Sequence, residues 1–332
     1  MNIADKIEVC ARRAIAEKTF PGCVIGVVRE NGDRQVLPFG HFTYENDSPE
    51  VGEDTIYDLA SVTKSIPVAS LAAIFAAENK ISLTDGVTKY IPELQNDFGA
   101  TLEDLLRYRV RGPTMSELAK KFRTFEEVRT HVFERGFDGP PGESEYTNLP
   151  AFLLGIVLER AGGEILPALA QKYFFGPLAM NDTTFFPHDS ARIAPTEIIE
   201  GREIRGVVHD ESARMFAGER RAVGHAGLFS TAPDLLNFLD ALLRRKFPVV
   251  VEAAESGLGW HVCQSWFMGD RSPKTFGKTG FTGTSVVVDI EKRTGLVVLS
   301  NRTYPGRPPD AGSIHAAVNS FRSRVADIVF RS

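Results

Sequence analysis

The feature that most constrains this chain is where its strand-forming residues lie: two hairpin signals, one near each end, with helical text between them. Cys23 to Arg29 is a β-branched run, Asn31-Gly32 favours a tight two-residue turn, and Arg34 to Phe42 returns as its partner. Far downstream, Thr284 to Ile290 and Gly295 to Ser300 form a second such pair, joined by Glu291-Lys292-Arg293-Thr294. From about Ser61 to Phe247 helical text dominates: Thr101 to Tyr108, Phe125 to Glu134, Pro150 to Arg160, and a segment opened by Thr231-Ala232-Pro233-Asp234. Ile3, Ile7, Cys10, Ala14 and Ile15 recur at three- and four-residue spacing and predict an amphipathic helix over 3–17. Ala311 to Phe330 predicts a closing helix after a Pro-rich turn at Pro305 to Pro309. Together these elements predict an α/β (α+β) fold, one antiparallel sheet built from both termini with flanking helices plus a helical domain. The expected division is 1–60 with 250–332 as the sheet domain and 61–249 as the helical one.

Composition narrows the function classes. The chain has 332 residues, 43% hydrophobic and 24% charged, ordinary for a soluble globular protein. Its net charge of −5 and lack of a long Lys/Arg run argue against nucleic acid as a partner. Cys10, Cys23 and Cys263 are odd in number and unclustered, matching neither a disulfide framework nor a zinc site. No segment approaches the ~20 apolar residues of a membrane helix. Met1 to Lys18 is polar and periodic, unlike an export signal, so the expected location is cytoplasmic, or periplasmic if a signal was removed upstream.

Chemistry concentrates in three short segments. In Ala60-Ser61-Val62-Thr63-Lys64-Ser65, a Ser and a Lys three apart open an apolar stretch, Ile66 to Ala77, that predicts a helix. On a helix the two share a face, and a partly buried Lys64 could lose its proton near neutral pH and take up that of Ser61. The helix N-terminus would add N–H donors for a forming oxyanion. Glu145-Tyr146-Thr147-Asn148 precedes a helix, and Gly277-Lys278-Thr279-Gly280 is expected to lie just before a strand. Tyr146, as a phenolate held by two lysines, can act as base for attack and acid for the leaving group. Asn148 is expected to hydrogen-bond Lys64 and a substrate amide. Lys278 is expected to lower the Tyr146 pKa or pair with a substrate carboxylate.

Ser61-x-x-Lys64, Tyr146-x-Asn148 and Lys278-Thr279-Gly280, in this order, resemble the three signatures of class C β-lactamases and the related penicillin-binding-protein-like serine hydrolases. A neighbouring class carries Ser-Asp-Asn as its second motif, where this chain has Tyr-x-Asn. Phe174 to Phe185, Gly224 to Thr231 and Gly280 to Thr284 are also similar to segments of that family. The resemblance, covering about residue 20 onward, implies a covalent acyl-enzyme on Ser61, with the backbone N–H groups of Ser61 and Phe281 as the oxyanion hole. It also implies a β-lactamase/transpeptidase-like fold with the site in the cleft between its two parts, and no cofactor.

Three departures stand out. Phe281 is bulky where penicillin-hydrolysing relatives usually carry a small residue, which tilts the expectation toward esters or peptides. The family's Leu-Leu-x-His-x-Ser-Gly segment is replaced by Leu105-Leu106-Arg107-Tyr108-Arg109-Val110-Arg111-Gly112. Pro67 should distort the first turns of the helix after Ser61. The expected activity is a serine hydrolase acting on a small-molecule ester, amide or β-lactam substrate, esterase- or peptidase-like. A β-lactamase or D-alanyl-D-alanine carboxypeptidase is the alternative, and a ligand-binding protein without turnover is the rival of another class.

Other candidates read as structural. His209-Asp210-Glu211 are adjacent, so they cannot all face one metal ion on regular structure. His225 is expected to order a loop, and Arg302 to face solvent. Gly277-Lys278-Thr279 lacks the leading Gly of a phosphate-binding loop, since position 272 is Ser272. No Gly-x-Ser-x-Gly nucleophile elbow occurs.

Overall fold

The computed structural model describes residues 2–188, 190–307 and 311–331. Its centre is a six-stranded antiparallel sheet in the order Arg34–Gly40, Gly22–Arg29, Thr294–Ser300, Ser285–Asp289, Thr275–Thr279, His261–Val262. The two hairpins expected from the sequence meet in the middle: Cys23 pairs with Ser300 and Arg29 with Thr294, so the first and last strands are neighbours. Pro38 lies on the outermost strand, where its missing N–H breaks no inner ladder.

Both sheet faces are covered, and alternation along each strand assigns the side chains. Ile25, Val287, Leu296 and Val298 pack with the helices Ile3–Ala16 and Ala311–Phe330, through Ile7, Ala11, Phe321 and Val325. Val24, Val28, Val286, Val288, Val297 and Leu299 face the larger core shared with the helices of the middle of the chain. Sandwiching the sheet explains why its central strands read as nearly continuous apolar runs. Of the Pro-rich turn before the last helix, Pro308 and Pro309 lie outside the described residues.

The segment after Ser61 departs from the expected single helix. Ala60–Lys64 is a 3₁₀ turn, and regular α-helix begins only at Ser70 and runs to Ala77. Between them Ile66 leaves helical geometry, at φ −116° and ψ 108°. The cause is Pro67, whose ring excludes the α region for the residue before it. Residues 60–77 are long and apolar enough to cross a membrane, yet 83% of that stretch is buried inside the fold, where it serves as core.

The Lys-Thr-Gly segment also differs from expectation. Thr275–Thr279 is itself a strand, paired on one side with Ser285–Asp289 and on the other with His261–Val262. Its polar sequence hides this, because its burial comes from neighbours distant in the chain. Gly277 permits the pairing, since a Cβ there would stand 2.4 Å from the Val286 carbonyl oxygen.

Candidate active site

Ser61 and Lys64 meet because a 3₁₀ turn has three residues per turn and stacks positions i and i+3 directly. Lys64 Nζ donates to Ser61 Oγ at 2.8 Å and to the His225 carbonyl at 2.7 Å. The Lys64 side chain is buried, with no carboxylate beside it in an ion pair among the described residues. Ala60, just before Ser61, adopts a left-handed φ of 46°. The Asp58 carboxylate holds that turn by accepting from the Ala60 N–H at 2.7 Å.

Tyr146 arrives from the loop ahead of the helix Leu149–Gly162. Its ring is 48% exposed along the cleft, and Ser61 and Lys64 both favour its phenolate form. Burial of the hydroxyl end would raise its pKa, but the Lys64 and Lys278 ammonium groups outweigh that and lower it to about 8. Their Nζ atoms lie 5.3 and 4.7 Å from the ring centre. Lys278 is buried on the strand Thr275–Thr279, and desolvation lowers its pKa to about 8, with Tyr146 opposing and Lys64 adding to the shift.

The turn that follows carries the other expected donor. Gly280 passes so close to the Ser61 segment that a Cβ would sit 2.3 Å from the Leu59 carbonyl oxygen. Thr282 Oγ1 donates to the Asp58 carbonyl at 2.6 Å and Thr284 Oγ1 to the Leu59 carbonyl at 3.0 Å, clamping the two segments together. The Phe281 amide N–H has no hydrogen-bond partner among the described residues. Its ring, 37% exposed, stacks on His209 at 5.6 Å.

Ser61, Tyr146, Thr279, Gly280 and Phe281 therefore line one cleft of about 320 Å³, together with His261, Trp266, His315, Asn319 and Arg322. Asn148 differs from expectation. Its Nδ2 donates to Asp210 Oδ2 at 3.2 Å, and no bond to Lys64 is formed. As the residue preceding Leu149, it turns toward the Asp210 carboxylate, while the Lys64 ammonium bonds the His225 carbonyl.

Asp210 and His225 form the layer beneath. Asp210 accepts from Ser212 Oγ at 2.6 Å and from the Ala213 N–H at 3.0 Å, capping the helix Glu211–Gly218. Burial opposes its ionisation, yet these bonds and its contact with His225 hold its carboxyl well below the usual range. His225 is fully buried, and desolvation lowers its pKa against the pull of Asp210. Its carbonyl anchors Lys64. His209, depressed to about 3 by burial and then by Arg307 and Arg214, likewise packs as a structural residue.

Arg302, expected in solvent, is buried: its Nε donates to the Phe281 carbonyl at 2.6 Å and its guanidinium lies 4.6 Å from the Phe281 ring. The strand it follows is covered at this end by the 280–284 turn, so the side chain has no route outward. Arg322 was not singled out from sequence. From the last helix its Nη2 donates to the carbonyls of Gly280 (3.0 Å) and Thr284 (2.7 Å), and its Nη1 to Asn319 Oδ1 at 2.8 Å. Tyr108 also enters the site, bonded to Lys278. The only signal for it was the altered segment after Leu106, whereas nothing in the helical text of 311–330 marked Arg322.

This sheet, its covering helices and a Ser/Lys/Tyr cleft at the strand ends define a penicillin-binding-protein-like hydrolase fold. The family model described as Beta-lactamase matches residues 8–319, and the chain belongs to that family. It is a serine hydrolase of the family. A putative D-alanyl-D-alanine carboxypeptidase of Escherichia coli (strain K12) is 27% identical over 307 residues, covering 75% of this chain and 70% of that protein. Two solved structures share the fold. One is a D-alanine carboxypeptidase AmpC from Burkholderia cenocepacia, with TM-score 0.72 and 22% identity over 96% of this chain and 97% of that one. The other is EstCE1, described as a hydrolase with promiscuous acyltransferase activity, with TM-score 0.72 and 18% identity over 97% and 98% of the two chains.

Proposed function

We propose that the protein hydrolyses small esters or amides through an acyl-enzyme on Ser61. The observation that carries this reading is the contact of Lys64 Nζ with Ser61 Oγ at 2.8 Å, with Tyr146 in the same cleft and its ring centre 5.3 Å from Lys64 Nζ. Tyr146, its phenolate favoured by two ammonium groups, takes the Ser61 proton as Oγ attacks the substrate carbonyl carbon. The oxyanion accepts from the N–H groups of Ser61 and Phe281. Collapse breaks the bond to the alkoxide or amine, which leaves with the proton from Tyr146. Water then attacks the Ser61 ester, again giving its proton to Tyr146, and the free acid departs as Ser61 regains its hydrogen. Lys64, pinned by the His225 carbonyl, supplies positive charge throughout. Thr279 and Gly280 shape the cleft edge, and Asn148 contributes by orienting Asp210.

The Phe281 ring beside the acyl position favours a flat or slender acyl group over a fused β-lactam. A second reading, carboxypeptidase action on a peptide ending in a free carboxylate, draws support from Arg322. It is a buried guanidinium in the cleft wall with no acidic partner among the described residues.

The test uses a short p-nitrophenyl ester, a chromogenic cephalosporin and a dipeptide of D-alanine type, with wild type and Ser61→Ala. Ester turnover abolished by Ser61→Ala, with an acyl mass increment on the wild type alone, is expected. Intact substrates and no mass increment would sink the hydrolase reading in favour of a binding protein. Fast cephalosporin turnover would make it a β-lactamase, and preferential dipeptide cleavage a carboxypeptidase.

A further inference from the structure

The segment that departs most from the family pattern, Arg107 to Gly112, carries an aromatic residue into the site in a backbone conformation that disfavours it. Tyr108 has φ +56°, a left-handed geometry uncommon for a bulky side chain. The surrounding bonds over-determine that conformation. The Tyr108 carbonyl accepts from the Glu145 N–H at 2.8 Å, the Arg109 carbonyl from Gly142 N–H at 3.0 Å, and Arg111 pairs with Glu145 at 2.7 Å. On the other side, the Leu106 carbonyl accepts from Gly259 N–H at 2.9 Å, and Arg107 donates to the Ser256 carbonyl at 3.0 Å. The strap thus ties the loop carrying Tyr146 to the chain entering the strand next to Lys278.

Strained backbone that the surroundings enforce is a pointer to function, and here the side chain supplies the function. The hydrogen bond from Lys278 Nζ to Tyr108 Oη, at 3.1 Å, is the one side-chain bond that Lys278 makes among the described residues. Its ammonium lies 4.9 Å from the Tyr108 ring centre and 4.7 Å from that of Tyr146, and the two rings are 5.0 Å apart. A buried ammonium must have an acceptor. A carboxylate there would cancel its field, whereas a phenol solvates it and leaves the charge to act on its neighbour.

We propose that Tyr108 is a positioning residue for the reaction, holding the Lys278 ammonium beside Tyr146 through a neutral hydrogen bond. The proposal rests on the Ser61/Lys64/Tyr146 reading above. Tyr108 does not compete as a base: burial, then the nearby Tyr146, keeps its phenol protonated well above the usual range. The other titratable groups facing this point are Lys64 and Tyr146 from the opposite wall and His261 from the adjoining strand, which stays neutral because burial and then Lys278 lower it to about 3. The charge that Tyr108 steadies is therefore one of the two ammonium charges that lower the Tyr146 pKa.

The experiment compares wild type, Tyr108→Phe, Tyr108→His and Tyr146→Phe on the p-nitrophenyl ester across the neutral and alkaline range. It adds an ultraviolet difference titration of each Tyr108 variant against the same chain carrying Tyr146→Phe, which reads the Tyr146 phenolate without turnover. Tyr108→Phe is expected to lower kcat about tenfold with KM little changed, a loss at the weak end of acid–base effects. It should also move both the rising limb of the rate and the Tyr146 titration to higher pH. Tyr108→His, whose neutral ring nitrogen can accept from Lys278, should restore most of both. An unmoved Tyr146 titration in Tyr108→Phe, or equal loss in the Phe and His variants, would overturn the proposal. Full activity in Tyr146→Phe would instead bring down the reading beneath it.

Discussion

Lys64 and Lys278 face each other across the cleft, and the two walls that carry them are built differently. On the helical wall, Lys64 reaches its partner Ser61 within one turn of chain, and a carbonyl from the 225 segment fixes it from behind. On the sheet wall, Lys278 has no partner nearby in sequence. It depends on Tyr108, 170 residues away, for its hydrogen bond, and on the neighbouring strands for its burial. Both lysines are buried cations that pair with no carboxylate among the described residues, a costly arrangement that a purely structural site would avoid. The difference teaches that the two walls fail differently: the helical wall should lose chemistry when altered, the sheet wall should lose tuning.

The largest expected effect lies on the helical wall and at the group between the walls. Lys64→Met and Tyr146→Phe should each cut kcat for the ester by about 10²–10⁴-fold, the range for removing a positioned acid–base group. Retained fold by circular dichroism with lost turnover is the supporting result; losses under about threefold would break the comparison at its base.

On the sheet wall Lys278→Met should cost less, and show itself in pH dependence. Tyr146 is active as phenolate, and its pKa is lowered to about 8. The wild-type rate should therefore rise with pH through about 8, as the phenol loses its proton. Without the Lys278 charge the phenolate is less favoured, so the limb moves to higher pH, toward the ordinary phenol value of roughly 10. A limb that stays in place in Lys278→Met would show that Lys64 alone sets the base.

Asp210→Asn probes the layer behind Lys64. It removes the charge that accepts from Asn148, Ser212 and Ala213. Loss of buried bonds of this kind should lower unfolding stability by about 1–3 kcal/mol, measured by urea denaturation. The rate should fall less than in Lys64→Met, because the His225 carbonyl remains. Phe281→Ala should have the smallest effect on the ester, since the backbone N–H persists. Its effect should appear as selectivity, with bulkier acyl groups gaining relative to short ones; an unchanged preference would remove the ring from the account of specificity.

Much of this was legible in the chain. The terminal hairpins announced themselves through β-branched runs and turn residues, and the first helix through its spacing. Two helix N-caps were not read from the chain: Thr101 and Thr124 each form a reciprocal cap with an acidic residue three positions on. The 3₁₀ turn at Ser61 and the break at Ile66 were less legible, though Pro67 gave the cause in advance. Thr275–Thr279 passed as a loop because Lys, Thr and Gly have weak strand preference, and its place is set by partners far off in sequence. Asn148 was misplaced for the same kind of reason: its partner Asp210 was seen only as a neighbour of His209.

The sequence by itself determined the two terminal hairpins, the first helix and the spacing that lets Lys64 reach Ser61, since each depends on residues within a few turns of one another, and it carries each of the three family motifs as a short local pattern. Tertiary structure alone decided that Tyr108 would cradle Lys278, that Arg302 and Arg322 would lie under the 280–284 turn, and that two buried ammonium groups would converge on one phenol. Those outcomes rest on electrostatics and desolvation between segments far apart in the chain, and no local pattern of residue types encodes the distances on which they depend.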